Sequence, residues 1–78
     1  MYVKIKKRDI NMFTKMIETT VWPDNTPNHT YVINDKEKMV AYKNSDGWQE
    51  LNKPLSFDAR RRKFIKKKFA TLQQAMED

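Results

Sequence analysis

The sequence predicts an α+β domain: a small antiparallel sheet of three to four strands with two helices, in the order β-α-β-β-β-α. Three observations carry that expectation. Short runs of β-forming residues at 30–33, 39–42 and 48–51 are separated by turn-forming residues. Apolar residues recur at helical spacing on either side of those runs. One Gly and three Pro in the whole chain speak against low-complexity disorder.

At the start, Tyr2, Lys4 and Lys6 alternate with Val3, Ile5 and Lys7, the pattern of a short strand with one apolar side. Asp9 is a suitable N-cap, and Ile10, Phe13, Met16/Ile17 and Thr20/Val21 then recur at three and four, predicting a first amphipathic helix. That helix should stop at Trp22, because Pro23 disfavours helical geometry in the residue before it. The segment Pro23 to Asn28 is a loop. Thr30–Ile33 and Met39–Tyr42 are predicted strands joined by the polar segment Asn34 to Lys38. Asn44-Ser45-Asp46-Gly47 places the only glycine in an Asp-Gly turn, followed by a short strand over Trp48 to Leu51. Asn52-Lys53-Pro54 ends it, and Ser56 can cap a long final helix over about residues 57–76.

Seventy-eight residues make one small domain, residues 1–78, with a thin core that buries roughly 60% of the unfolded chain's surface. Nine aromatic residues supply large units of buried area. The chain contains no cysteine, which removes disulfides, thiol chemistry and thiolate metal sites and fits a reducing compartment. The start of the chain lacks the apolar run of a signal peptide, and no stretch approaches the roughly 20 apolar residues of a membrane span. A cytoplasmic protein is expected, in the host cytoplasm if the chain is viral.

The formal net charge of +6 is unevenly placed. Residues 1–8 hold four cations and no anion, and residues 57–68 hold seven cations and one anion. Between Arg60 and Lys68, seven of nine positions are Arg or Lys and none is acidic. On a helix, Ile65, Phe69, Leu72 and Met76 would share one stripe, with Arg60, Lys63, Lys66 and Lys67 on the opposite face. Solvated helices usually interleave both signs, since like-charge neighbours cost a few tenths of a kcal/mol. A polyanion partner would offset that cost. Nucleic acid is the commonest such partner, and arginine forks pair bidentately with phosphate.

The expected nucleic-acid contacts are therefore Arg60, Arg61, Arg62, Lys63, Lys66 and Lys67, with Lys4, Lys6, Lys7 and Arg8 auxiliary. RNA is favoured over DNA, and any of Tyr2, Trp22, Tyr31, Tyr42 or Trp48 left exposed to stack on bases would tilt the choice towards single strands or RNA. No base-reading motif is present, so recognition should be dominated by the phosphate backbone. A helix of 20 residues would be about 30 Å long, so the distal stripe Phe69, Leu72 and Met76 is expected to project and form a homodimer interface. The rival expectation is an inhibitor that docks its cationic face on an acidic protein, such as a host nuclease or toxin. A membrane partner is not expected, because the apolar stripe is needed for the core.

Three strands followed by a helix opening with lysine and arginine is similar to the double-stranded RNA-binding domain, over about residues 9–72. That likeness implies that the Arg60 to Lys68 cluster straddles phosphates across a groove. Small ribonuclease toxins of the HicA type also use a helix, three strands and a helix, with a histidine beginning the first hairpin. Pro27-Asn28-His29-Thr30-Tyr31-Val32 resembles that segment and implies a ribonuclease acting through His29. A short, cysteine-free chain rich in Lys, Asn, Met and Phe also resembles in style the accessory proteins of T-even-type phages, several of which blunt host nucleases or toxin systems. A phosphate loop cannot be built with one glycine, and one histidine without cysteine offers no recognisable metal-ligand spacing. No catalytic residue, metal or cofactor is expected, and an enzyme is the less favoured class.

Overall fold

The computed structural model describes residues 12–78. They form a five-stranded antiparallel sheet followed by one short helix: β1 (Phe13–Glu18), β2 (Thr30–Ile33), β3 (Lys38–Asn44), β4 (Gly47–Ser56), β5 (Phe64–Phe69) and α1 (Leu72–Glu77). The sheet order is β4-β3-β2-β1-β5. The first four strands are neighbours in chain order. Residues 57–63 then cross one face of the sheet from the β4 edge to the β1 side, where β5 becomes the opposite edge.

This corrects the expected α+β architecture with two helices. The first predicted helix is strand β1 from Phe13 to Glu18. Helical spacing misled because β1 lies between β2 and β5 and has side chains buried on both faces. Thr14, Lys15, Met16 and Glu18 are all buried, which erases the period-two alternation of a half-buried strand. The predicted helix over 57–76 is a crossover, a strand and only then a helix. Three lysines in six residues of β5 hide its alternation, because charged side chains on both faces suit an edge. The two helices expected from the sequence are thus absent over the described residues. The predicted strand at 2–7 and the Asp9 cap lie outside them.

The hairpins follow local chemistry. β2 has the bounds expected from the sequence, and β3 and β4 are joined at Asn44↔Gly47. Gly47 has φ 103°, a conformation that side chains rarely adopt, and Asn44 Oδ1 accepts from Asp46 N at 2.9 Å. β4 runs through Pro54 instead of ending before it. An edge strand tolerates a residue without an N–H donor. In the 34–38 turn, Asn34 Oδ1 accepts from the main-chain N–H groups of Lys36 and Lys38, both at 2.9 Å.

The main apolar cluster lies on one face of the sheet, while Met16 and Ile33 are buried on the other. Val32, Ala41 and Ala75 are fully buried, and Phe13, Val40, Trp48, Phe69, Leu72 and Met76 pack against them. α1 is pinned there by Thr71, whose hydroxyl accepts from Gln74 N at 3.1 Å as its N-cap. Phe69, Leu72 and Met76, expected as a dimer seam, are therefore part of this chain's own packing. The projecting helix that motivated a homodimer does not form.

Two measurements check this architecture. Far-ultraviolet circular dichroism should be dominated by β-structure, where a 20-residue basic helix would give deep minima at helical wavelengths. Val32→Ala should cost about 2 kcal/mol, read from the urea midpoint, because two methyl groups leave a site with 0% exposure.

Candidate nucleic-acid interface

The crossover is fastened by a turn and by one inward-pointing arginine. Asp58 Oδ1 accepts from Arg60 N at 3.0 Å, and Arg62 N donates to Ala59 O at 3.1 Å. Arg60 and Arg61 therefore occupy the tip of a tight turn. Arg62 turns under it. Its Nε donates to Glu18 Oε2 at 3.0 Å, its Nη1 to Asp58 O at 3.3 Å, and its Nη2 to the Tyr31 hydroxyl. The guanidinium lies 4.9 Å from the Tyr31 ring centre, 5.3 Å from Phe64 and 5.7 Å from Phe57. Those rings pack edge-on or tilted against one another, a cage that favours a cation through the negative faces of the rings.

The Glu18 side chain is 1% exposed, so its charge has almost no water to solvate it. Burial pushes its carboxyl up. The Arg62 hydrogen bond, the His29 main-chain N–H at 3.2 Å and the Arg62 charge outweigh that, and the balance lies below the ordinary carboxylate value. Trp22 lends a smaller pull in the same direction, although its Nε1 makes no hydrogen bond of standard geometry and is buried without a partner among the described residues.

The fold divides the sequence-predicted cations into two groups. Arg62 is consumed internally. Arg60 pairs with Asp58 at 3.1 Å and holds that carboxyl below its ordinary range, while its own side chain stays 90% exposed. Lys67 pairs with Asp78 at 3.2 Å, and Lys68 Nζ donates to Thr14 Oγ1 at 2.9 Å. Arg61, Lys63 and Lys66 are exposed and form no ion pair among the described residues. Lys4, Lys6, Lys7 and Arg8 lie outside the described residues.

Register decides which face each lysine serves. Lys66 and Lys68 oppose Met16 and Thr14, so they share the face that carries the Arg62 cage, whereas Lys67 opposes Lys15 on the α1 face. Lys63 extends the β5 edge, accepting from Thr19 N at 2.7 Å and donating to Thr20 Oγ1 at 2.6 Å. At about 3.3 Å per residue, Lys63 and Lys66 stand about 10 Å apart along that edge.

Sequence reasoning missed two features. Lys15 is buried, and its Nζ donates to the main-chain oxygen of Asp78 at 2.8 Å with the Trp48 ring centre at 5.6 Å. Burial is the main cause that lowers its pKa, with Asp78 pulling the other way. Nothing local signals a lysine under a helix end. The second is a cleft of about 340 Å³ lined by Trp22, Asp58, Arg60, Arg61 and Arg62. Of the other aromatics, Tyr31 and Tyr42 are directly opposed and share a face, and Tyr31 is occupied by Arg62.

His29 borders a separate cleft with Pro27, Asn28, Thr30, Lys43, Asn44 and Ser45. That lining holds, among the described residues, no carboxylate to orient its ring. Among the described residues, no three His, Asp or Glu side chains are grouped so as to hold a metal ion, and no helix is long and apolar enough to cross a membrane. No protein-family model, curated protein or solved structure matches the chain.

The buried pair makes a stability prediction. Glu18→Gln leaves the Arg62 guanidinium under-compensated and should cost about 3 kcal/mol in urea unfolding at neutral pH. Because the folded carboxyl titrates below its unfolded value of 4.5, its contribution is complete above that pH and is lost as pH falls further. The acid slope below about pH 4.5 should therefore be shallower in Glu18→Gln than in the parent protein.

Proposed function

We propose that this protein binds nucleic acid, with RNA favoured, along the β5 edge and the turn that precedes it. One observation carries the reading: after internal pairing is subtracted, Arg61, Lys63, Lys66 and Lys68 remain without carboxylate partners among the described residues, Lys68 reaching only the Thr14 hydroxyl, in one short stretch at a sheet edge. Lys66 and Lys68 point to the face that the Arg60–Arg61 turn overhangs. The paired cations still add field, since Arg60 is held only by an exposed partner that a phosphate can replace. Contacts of this kind read backbone charge rather than sequence. A cytoplasmic setting accords with a chain that uses no cysteine.

A second reading has its own support. Val21 is 90% exposed and Ile65 54% exposed, and both adjoin the cationic edge, Ile65 within β5 and Val21 next to the Thr20 that bonds Lys63. Charge interleaved with exposed apolar side chains also suits an acidic protein surface, such as that of a nuclease or toxin blunted by a phage-type factor.

Changing Arg61, Lys63 and Lys66 together to Glu should abolish an RNA mobility shift. The charge-matched change of Lys36, Lys38 and Lys53 to Glu should leave it nearly intact. Equal loss in both would reduce the effect to net charge and sink the proposed interface. Three phosphate contacts predict that the logarithm of the binding constant falls against the logarithm of salt with a slope of about −2 for a single strand. A preparation free of nucleic acid that captures an acidic protein, and loses it on Val21→Asp or Ile65→Asp, would favour the second reading.

A further inference from the structure

The cleft beside the crossover turn is not explained by a backbone-binding edge. Trp22 is half-buried, yet its only polar side-chain atom, Nε1, is wholly inside the protein. The side-chain surface that it turns to the cleft is therefore ring carbon. The opposite wall is the turn itself. Asp58 would repel an incoming phosphate if its charge were free, but it accepts from Arg60 N, Nε and Nη2 at 3.0, 3.3 and 3.1 Å. Glu18 likewise offsets Arg62. The uncompensated charge of the lining is that of Arg61.

An apolar ring surface beside an available guanidinium matches the two halves of a nucleotide. The base gains from stacking on carbon, and the phosphate gains from a bidentate fork. The volume of about 340 Å³ lies at the lower end of the about 300–1,000 Å³ typical of small-molecule sites. A base that is paired and stacked in a duplex cannot enter such a space, whereas one from a single strand, loop or end can. The walls are also fixed in advance. The Arg62 clamp holds the turn, and on the other side Trp22 O accepts from Asn25 N at 3.2 Å.

We infer that this cleft receives one unpaired nucleotide of a single-stranded nucleic acid, its base against Trp22 and its phosphate on Arg61. The inference rests on the nucleic-acid reading above and deepens it. Arg61 belongs to both the cleft and the cationic edge, so a strand lying along β5 can deliver its next base to Trp22.

The test uses the whole chain, a short single-stranded RNA and the corresponding duplex, with mobility shift and tryptophan fluorescence read together. Single-stranded RNA should bind more tightly than duplex and quench fluorescence saturably. Trp22→Phe should retain binding but lose the quench, since Trp48 is partly buried against the core on the α1 face, away from the cleft. Trp22→Ala and Arg61→Ala should each weaken binding about 10-fold. If the RNA shifts the parent protein while the quench is equal in Trp22→Phe, or while duplex binds as tightly as single strand, the cleft proposal is overturned and the edge proposal stands. If no nucleic acid shifts the protein at all, both fall.

Discussion

The arrangement depends on one buried ion pair. The chain must pass from the β4 edge of the sheet to the far side of β1 before it can add β5, and it does so without a helix or strand to guide it. Arg62 and Glu18 supply the attachment. Burying either charge alone would be costly. Here each hydrogen-bonding atom of the guanidinium finds oxygen, the carboxylate takes a further main-chain N–H, and three aromatic rings wall in the cation. With the pair made, the crossover lies flat on the sheet, the turn at Arg60–Arg61 is raised above it, and β5 begins in register beside β1.

That clamp also determines what the remaining cations are free to do. A run of seven positive residues in the primary sequence is not seven equivalent ligands. One is structural, one is held by a neighbour in its own turn, and one is tied to Asp78 beside α1. Of the four left over, Lys66 and Lys68 sit on edge strand β5 and Lys63 directly precedes it, where lysine has a second duty, because a bare edge invites pairing with another sheet. Lys53 and Pro54 serve the same purpose on the opposite edge. Edge protection accounts for some positive charge on β5. It does not account for Arg61 or for the arginine-lined cleft that it shares with Trp22.

Several elements were legible from local chemistry alone. Thr30–Ile33 and the Asn44–Gly47 turn were readable because a strand alternation and a positive-φ glycine are decided within a few residues. Other signals were present but outweighed. Thr14, Ile17, Thr19, Thr20 and Val21 form a β-branched run that disfavours a helix, and Thr71-Leu72-Gln73-Gln74 has the capping-box pattern that marks where a helix does begin. The apolar spacing of Phe13, Met16 and Ile17 obscured the first, and the 57–69 charge pattern drew the second helix too early.

By itself the amino-acid order determined the charge excess, where it is concentrated, the hairpins and the lack of thiol or phosphate-loop chemistry, since these are properties of composition and near neighbours. The tertiary structure decided which cations are spent and which are available. Arg62 meets Glu18 at a separation of 44 positions, Lys67 opposes Lys15 through a register that only sheet pairing sets, and Trp22 faces the arginine turn because a crossover brings them together. No local periodicity encodes contacts of that range, because they arise from how strands are ordered and not from how each strand is built.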